Sequence, residues 1–417
     1  MPIVARIAII GSGIGGLGAA WLISRRHEVE VFERDDRIGG HVQTTRVTGP
    51  SGERLALDSG FIVHNETTYP LLVRMLRELG VRTQDSRMGF SVACDACGVE
   101  YSGVGLWRQP QAFRSPGFTR LLRDIGRFQR TATRALDPGL EGLTLEDFAR
   151  EEGYSPRFID HYLGPLASAI WSSGSGDARR FPASYAVGFW RNHGILGFRR
   201  LTWKTITGGS ATYVQRIVDR LPGRVHAGCG VDEVRRHPEH VEVRTADGVT
   251  HRFDHVVMAA HAGQSLAMLA DPTDDERRIL GAFRTTASDV SLHRDESLLP
   301  AHRRARAAWN HHVEDCRVDS PRPTMTYSLN RLQALRSDAE WCVSLNRDDE
   351  VDPALRVMRT RYEHPVYDFA ALDAQRALGG IQGAGRTWYS GAWMGYGFHE
   401  DGLRAAASVA RGLGVEW

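Results

Sequence analysis

The first hydrophobic run of the chain leads directly into a cluster of glycines. Residues 5–10 are apolar at nearly every position, which is typical of a parallel strand buried on both faces. Residues 14–25 are predicted to form a helix, and the segment HEVEVFE predicts a second strand that ends at Glu33. This strand–helix–strand order predicts an α/β fold.

Further along the chain, the pattern predicts helices first and strands later. Helical periodicity recurs in YPLLVRMLRELG and in residues 117–136, whereas TMTYSLN and WCVSLN resemble strands. The segment VRTADGVTHRFDHVVMAA predicts a hairpin with its turn at Asp247–Gly248, followed by a buried strand. The segment from Arg386 to Leu413 predicts a strand, a glycine-rich crossing and a helix that starts near Asp401–Gly402.

The glycine cluster matches the G-x-G-x-x-G pattern of dinucleotide-binding turns at Gly11, Gly13 and Gly16. Glu33 follows about 20 residues later, where a carboxylate accepts hydrogen bonds from ribose hydroxyls. The helix N-terminus that follows the turn offers free N–H groups to a pyrophosphate. The predicted contacts of this turn are Gly11, Ser12, Gly13, Ile14, Gly15 and Gly16.

The residues after Glu33 favour FAD over a nicotinamide dinucleotide. Arg34 on its own would suit the 2′-phosphate of NADP. The pair Gly39–Gly40 argues against NADP, because it resembles the second glycine pair of amine-oxidase-like flavoproteins. A second G-x-G-x-x-G after a strand is absent from the sequence, so a separate NADPH domain is not expected.

Several longer segments resemble the flavin-containing amine-oxidase superfamily nearly end to end. They include LDSGFIVHNETTYPLL, HYLGPLASAIWSS, WKTITGGSATYV and YSGAWMGYGFHEDGL. Within that superfamily the chain is most similar to NAD/FAD-binding proteins encoded beside cyclopropane-fatty-acid-synthase-type methyltransferases. GFHEDG departs from the aromatic-Glu-Gly-Ala pattern common in amine oxidases, which argues against amine oxidation.

The resemblance implies a Rossmann-like FAD-binding domain interleaved with an α+β substrate domain. We expect the FAD-binding domain at residues 1–66, 205–285 and 380–417, and the substrate domain at residues 67–204 and 286–379. The further FAD contacts that it implies are Arg34, Gly39, Gly40, His41, Gly60, Phe61, Val231, Gly391, Phe398, Asp401 and Gly402.

Four residues are candidates for catalysis and five for the substrate pocket. Lys204 is the only lysine and could act beside the flavin, while His399 or Glu400 could supply a base. The alternatives are a surface lysine, a packed histidine and a helix cap. The fourth catalytic candidate is Tyr327, and the pocket candidates are His64, Asn65, Asn330, Trp393 and Tyr396.

No metal site is predicted. Cys94-Asp-Ala-Cys97 is a C-x-x-C pair, but no partner pair with workable spacing is evident, and the segment also reads as a turn between two strands. His311 and His312 are adjacent and would point apart on a strand.

Composition bounds the class of protein. A chain of 417 residues predicts two domains, and a net charge of +2 gives no reason to expect nucleic acid as a partner. Five cysteines and no apolar run of about 18 residues predict a cytoplasmic protein with reduced thiols. Arginines on one face of residues 117–136 predict either a solvated surface or peripheral contact with an anionic membrane.

These observations together predict an FAD-dependent oxidoreductase. The predicted reaction is at a C–C bond of a fatty acyl or other hydrophobic substrate, as in a desaturase, saturase or double-bond isomerase. The alternatives are a flavin amine oxidase or dehydrogenase for a small metabolite, and a non-catalytic flavin-binding partner of a lipid methyltransferase.

Overall fold

The computed structural model describes residues 4–197, 201–221 and 224–417. Its strands are β1 (Arg6–Ile10), β2 (Glu28–Phe32), β3 (Thr44–Thr48), β4 (Arg54–Asp58), β5 (Val63–Asn65), β6 (Thr83–Ser86), β7 (Phe90–Cys94), β8 (Glu100–Ser102), β9 (Trp203–Ile206), β10 (Val225–His226), β11 (Val231–Arg236), β12 (Val241–Thr245), β13 (Thr250–Phe253), β14 (His255–Met258), β15 (Arg284–His293), β16 (Trp309–Val313), β17 (Met325–Ser328), β18 (Cys342–Leu345), β19 (Arg356–Val366) and β20 (Thr387–Tyr389). Its α-helices are α1 (Ile14–Ile23), α2 (Pro70–Glu78), α3 (Phe118–Thr131), α4 (Leu145–Glu151), α5 (Pro156–Phe158), α6 (Gly164–Trp171), α7 (Ser175–Arg179), α8 (Ala183–Asn192), α9 (Ala211–Val218), α10 (Ala262–Met268), α11 (Asp274–Gly281), α12 (Leu329–Leu332), α13 (Phe369–Ala377) and α14 (His399–Gly412).

A parallel sheet in the order β10-β2-β1-β14-β20 forms the centre of the first region. The sheet is buried on both faces because side chains along each strand alternate between two cores. Ile7 and Ile9 of β1 pack on the side of α1, α9 and α14, whereas Ala8 and Ile10 pack on the opposite side. This opposite core includes residues of α10, α11 and α13.

A mixed sheet in the order β19-β15-β18-β17-β16-β7-β8 forms the second region. Its neighbouring strands are antiparallel except β16 and β7, which pair in parallel. Two of its strands precede β9 in the chain and five follow β14, so both predicted parts of the substrate domain build one sheet. The small sheet β5-β9-β6 crosses the predicted domain boundary, because β9 spans residues 203–206.

The predicted fold class, an interleaved Rossmann-like and α+β arrangement, is confirmed. Predicted elements needed small corrections. The helix predicted at residues 117–136 is α-helical only to Thr131 and continues as a 3₁₀-helix over Ala132–Leu136. The last helix begins at His399 and not at Asp401, because the Asp401 side chain accepts the N–H of Phe398 and caps the helix from inside.

No helix in the described ranges combines the length and apolar character that crossing a bilayer requires.

Candidate functional site

The glycine turn between β1 and α1 is held by close backbone approaches. Gly11 has a φ of +104°, which disfavours a side chain, and a Cβ there would lie 2.8 Å from the carbonyl oxygen of Ala259. A Cβ on Gly16 would lie 1.9 Å from the Gly11 carbonyl oxygen. A Cβ on Gly13, in contrast, would meet no atom within 4 Å. Gly11 and Gly16 therefore fix the turn, and Gly13 leaves its outer side open.

Glu33 is joined to this turn through Ser12. One Glu33 carboxylate oxygen accepts both the N–H and the hydroxyl of Ser12, at 2.9 and 2.5 Å. The Ser12 hydroxyl oxygen in turn accepts the N–H of Gly39 at 2.9 Å. The first glycine turn, the carboxylate at the end of β2 and the second glycine pair are therefore one connected structure.

The segment before β11 lies against the end of β2. The N–H of Cys229 donates to the Glu33 carbonyl at 2.8 Å, and the N–H of Gly228 donates to the Asp35 carbonyl at 2.9 Å. Val231 is half-buried at the start of β11. The Arg34 side chain is exposed, with its Nε 3.5 Å from a carboxylate oxygen of Asp35. Glu33, Arg34 and the residues before Val231 thus share the end of the site where an adenosine would bind.

The residues between these elements fit a dinucleotide. Gly40 has a φ of +58°, and a Cβ there would lie 3.1 Å from the Cα of Gly13, so the two glycine turns lie against each other at one side of the expected nucleotide cleft. At its far end the Phe61 N–H donates to the His41 carbonyl at 3.0 Å, and a Cβ on Gly60 would lie 1.9 Å from that same oxygen. The buried Nε2 of His41 has no hydrogen-bond partner among the described residues.

The far end is formed by Phe61 stacked on His399, with ring centroids 3.6 Å apart. The Nε2 atom of His399 lies 3.1 Å from the hydroxyl of Tyr213. Burial, followed by the charge of His64, lowers the pKa of His399 to about 3, so this imidazole is neutral at pH 7. The described contacts of His399 are thus the Phe61 ring and the Tyr213 hydroxyl.

Glu400 and Asp401 are both occupied by backbone groups. The two Glu400 carboxylate oxygens accept the N–H groups of Leu71 and Leu72, at 3.1 and 3.0 Å, and thereby cap the N-terminus of α2. Asp401 accepts the Phe398 N–H at 3.1 Å and lies 3.4 Å from Arg404. Burial raises the pKa of both carboxyl groups, and that of Asp401 reaches about 6.

Gly402 and Gly391 bring the C-terminal elements against the nucleotide turn. A Cβ on Gly402 would lie 2.7 Å from Cγ2 of Ile14, and one on Gly15 would lie 2.9 Å from the Ser390 carbonyl oxygen. A Cβ on Gly391 would lie 2.3 Å from Nε1 of Trp393. The N-terminus of α14 is consequently held against the N-terminus of α1.

His41, a predicted FAD contact, lies beside two histidines that the sequence did not indicate, His261 and His364. The His41 ring stacks on Tyr362 at 4.7 Å and lies 5.2 Å from His364 and 6.3 Å from His261. Burial, then His364 and His261, lowers the pKa of His41 well below its usual range. His261 follows β14 as Gly11 follows β1, and ligands bind at the carboxyl ends of such strands. That rule would have indicated His261 in advance.

An aromatic wall lies beside the start of α14. Tyr396 packs against Tyr185 with ring centroids 4.7 Å apart, and Phe398 stacks on Phe189 at 4.8 Å. Trp171 donates to the Tyr396 carbonyl at 3.1 Å. The members of the aromatic wall are Trp171, Tyr185, Phe189, Tyr367, Tyr396 and Phe398. Trp393 lies apart from this wall, because its ring packs on Phe283 and its N–H donates to the Ala260 carbonyl.

Two other predicted residues, Asn65 and Asn330, form hydrogen bonds within the fold, and a third, Tyr327, packs in a strand. The Asn65 side chain accepts the N–H groups of Thr67 and Thr68, which forms a turn before α2. Asn330 binds the backbone of Ala339 and Trp341. Tyr327 lies in β17, and its ring packs edge-on against Trp309 at 5.4 Å. Burial raises the pKa of Tyr327, which makes it a poor proton donor or acceptor at neutral pH.

Lys204 and His64 are cross-strand neighbours in β9 and β5. The Lys204 Nζ lies 3.3 Å from a carboxylate oxygen of Asp85, whose side chain is 80% exposed. His64 is buried, and its Nδ1 has no hydrogen-bond partner within the part of the chain that the structure describes. Burial, then the Lys204 charge, lowers the pKa of His64 to about 4. His64 is therefore a neutral imidazole, with its ring centroid 6.5 Å from that of Phe61.

Cys94 and Cys97 have neighbours that no sequence spacing indicated. They lie in the turn from β7 to β8, and the fold brings His161 and Cys316 beside them. His311 and His312 do not share a site, as expected: His311 Nδ1 lies 3.2 Å from the sulfur of Met325, and His312 Nε2 lies 2.8 Å from Asp95.

Solved structures with the same fold catalyse different reactions. Putrescine oxidase bound to putrescine has a TM-score of 0.70 at 15% identity, with 99% of each chain covered. Cyclohexylamine oxidase from Brevibacterium oxydans IH-35A has a TM-score of 0.69 at 16% identity, covering 99% of this chain and 100% of the other. A CLA-producing fatty acid isomerase from P. acnes has a TM-score of 0.64 at 17% identity, with 98% of each chain covered.

No curated protein matches the chain at significant similarity. Residues 14–290, well over half of the chain, match the family of flavin-containing amine oxidoreductases. The two connected glycine turns, with the Glu33 carboxylate bonded to the first of them, agree with that match. The chain therefore belongs to the flavin-containing amine oxidoreductase family and is an FAD-dependent oxidoreductase.

Proposed function

We propose that this oxidoreductase acts on a C–C bond of a fatty acyl or similarly hydrophobic substrate, as a desaturase, saturase or double-bond isomerase. The observation that carries this proposal is that neither carboxylate of the GFHEDG segment is free. Glu400 binds two N–H groups of α2, and Asp401 caps α14. The neighbouring side chains are those of the aromatic wall, which suits an apolar ligand.

The chemistry divides between the cofactor and this chain's residues. Bound FAD accepts a hydride from a C–H bond or returns one. Removal of hydride from one carbon requires loss of a proton from its neighbour, so a base is needed. In this proposal His64 takes that proton, because it is buried and neutral and its Nδ1 has no hydrogen-bond partner among the described residues. An acyl substrate also agrees with the resemblance to proteins encoded beside lipid methyltransferases.

The test compares lipids and amines under anaerobic conditions. The FAD-loaded protein is mixed with fatty acids and phospholipids of defined unsaturation, and separately with primary amines. Flavin absorbance and the number and position of double bonds in recovered lipids are measured. We expect altered lipids and no flavin reduction by amines. Peroxide and ammonia from an amine on readmission of air, with lipids unchanged, would overturn the proposal in favour of an amine oxidase.

The variant His64→Gln tests the assigned base. We expect the lipid reaction to slow about 100-fold or more, with FAD content unchanged. His302→Asn is the matched control, because His302 is exposed and pairs with Glu100 on another part of the surface. An unaltered rate in His64→Gln would remove this residue from the chemistry.

We further propose that the surface around α3 contacts anionic membranes, which gives access to acyl chains. Arg120, Arg123 and Arg130 are exposed on α3 and form no ion pair within the described residues. Near the start of α3, Trp107 is 88% exposed and stacks on Phe113, which is also exposed. Aromatic side chains beside unpaired arginines suit the interface of an anionic bilayer.

Vesicle flotation tests this contact. Phosphatidylglycerol vesicles are expected to bind the protein, phosphatidylcholine vesicles to bind it weakly, and salt to reduce binding. A variant with Arg120, Arg123 and Arg130 each changed to Glu should lose this binding. Arg252→Glu, an exposed arginine on β13, is the control. Equal binding to both vesicle types would contradict the proposal.

A further inference from the structure

Four side chains with metal-binding atoms converge in the second region, away from the nucleotide cleft. The sulfur atoms of Cys94, Cys97 and Cys316 and a ring nitrogen of His161 all lie within 4.8 Å of one another. Cys97 Sγ lies 3.0 Å from His161 Nε2. These residues come from three separate segments of the chain, so the convergence is produced by the fold.

The distances and the kinds of ligand suit Zn²⁺. In a tetrahedral zinc site with Zn–S bonds of about 2.3 Å and Zn–N bonds of about 2.0 Å, ligand atoms lie roughly 3.3–3.8 Å apart. Thiolate and imidazole are the ligands of structural zinc, and Cys₃His is one of its usual sets. Cys94 and His161 are buried, with 3% and 2% of their surfaces exposed.

The orientation of His161 is set by its other ring nitrogen. Nδ1 lies 3.1 Å from the carbonyl oxygen of Arg157, which only accepts hydrogen bonds, so Nδ1 carries the proton. Nε2 is thereby left unprotonated and lies next to the Cys97 sulfur. A backbone carbonyl that fixes the tautomer in this way is the usual partner of a metal-binding histidine.

Backbone hydrogen bonds also fix the turn that carries Cys94 and Cys97. The N–H of Gly98 donates to the carbonyl of Cys94 at 3.0 Å, and Gly98 has a φ of +66°, which closes the C-x-x-C turn tightly. The N–H groups of Asp95 and Ala96 donate to carbonyls in residues 313–314, at 3.0 and 3.1 Å. The turn is thus bonded to the strand that leads into Cys316.

His161 lies in a π-helical turn, Ile159–Leu163, between α5 and α6. Such turns are rare and occur frequently at functional sites. The carbonyl of His161 accepts the hydroxyl of Tyr101 at 2.8 Å, which attaches this turn to β8. Three segments therefore meet at one point with their donor atoms inward.

We propose that Cys94, Cys97, His161 and Cys316 bind one structural Zn²⁺ ion. All four ligands come from the protein, so no position remains for a substrate or a catalytic water. Binding releases the thiol protons and leaves three thiolates on a divalent cation. The ion fastens the β7–β8 turn to the helical part and to the loop after β16, which joins both sequence inserts of the substrate domain.

Metal analysis of the purified FAD-loaded protein tests the proposal. We expect about one zinc ion per chain by inductively coupled plasma mass spectrometry after dialysis. Cys97→Ser and Cys316→Ser should contain at least about tenfold less zinc. Cys229→Ser is the matched control, because Cys229 lies outside the cluster, and it should keep its zinc.

A second measurement on the unaltered chain keeps the test independent of variant folding. A mercurial reagent that modifies thiols should release zinc in step with modification of three cysteines, detected with a chelating dye. A chain that contains no metal would overturn the proposal, whether its thiols are free or Cys94 and Cys97 form a disulfide. Iron in place of zinc would overturn it equally. Both measurements are made without substrate, so they are independent of the proposed reaction.

Discussion

The two largest sheets among the described residues bring residues together in opposite ways. In the parallel sheet, the glycine turn and Glu33 lie within one strand–helix–strand unit. The hydrogen bond from Ser12 to Glu33 and the close approach of backbone atoms to Gly11 and Gly16 fix their positions. In the mixed sheet, β7 precedes residues 205–285 in the chain and pairs with β16, which follows them. Side chains from segments that are distant in sequence meet there as a result. The first arrangement is local and rigid by geometry, whereas the second depends on completed tertiary structure.

The largest effect that would sharpen this comparison is expected at Gly16. Gly16→Ala places a Cβ on the Gly11 carbonyl, so we expect a loss of about 3 kcal/mol or more in unfolding free energy, together with loss of FAD. Gly13→Ala is the matched variant, because its Cβ meets no protein atom. It should leave the stability of the FAD-free chain within about 0.5 kcal/mol and weaken FAD binding at least about tenfold. Denaturant titration and flavin fluorescence measure both quantities, and equal stability of the two variants would contradict the local account.

The next effect concerns a contact between distant segments. Glu400→Ala leaves the buried N–H groups of Leu71 and Leu72 without acceptors, so we expect a loss of about 3 kcal/mol. Glu416→Ala, an exposed carboxylate, should change stability by less than about 0.5 kcal/mol. The pH profile of flavin reduction per bound flavin should be unchanged in Glu400→Ala. If the Glu400→Ala variant lost one limb of that profile, the result would instead indicate that Glu400 acts as a base in the reaction.

A smaller effect is expected on acidification. The pKa values of His64, His193 and His364 are about 4 in the folded chain, and that of His399 is about 3. Burial is the main cause of each shift. Unfolded imidazoles bind protons near pH 6.5 while these folded ones do not, so their stabilising contribution is present above pH 6.5 and is lost toward pH 4.

Two buried carboxyl groups oppose this trend. The folded pKa values of Asp58 and Asp401 are raised to about 6, so both stabilise the folded chain below about pH 4 and lose that contribution as pH rises to 6. The histidines outnumber them, and a net loss on acidification is expected. His193→Phe should flatten the dependence of unfolding free energy on pH, whereas the exposed control His302→Asn should not. Identical slopes for both variants would contradict the assignment.

The smallest effect is expected at Lys204. Its partner Asp85 is 80% exposed, and an ion pair of this kind contributes between about 0 and 1 kcal/mol. Lys204→Met should therefore change the thermal midpoint little and the rate of flavin reoxidation less than about twofold. Stopped-flow reoxidation with oxygen measures this rate. A tenfold fall would restore a role for Lys204 at the flavin.

The local part of the site was predictable because its physical causes lie within a few dozen residues. Gly11, Gly16 and Glu33 follow from turn geometry and strand spacing, and the structure joins them as expected. The role of Glu400 was not predictable, because its hydrogen-bond partners are N–H groups of α2, far away in the chain. Cys316 gave no signal for the same reason: no spacing rule connects it with Cys94. His261 was not predicted but could have been, because it follows a parallel strand and ligands bind at the carboxyl ends of such strands.

The position of β20 and α14 has a consequence for biosynthesis. β20 completes one edge of the parallel sheet, and α14 packs on α1, where a Cβ on Gly18 would lie 2.7 Å from Leu403. While a ribosome is still translating the middle of the chain, β1, α1 and β2 have already emerged, but their late neighbours do not yet exist. We therefore expect flavin loading to follow translation of residue 412, and chains terminated before it to be colourless after purification.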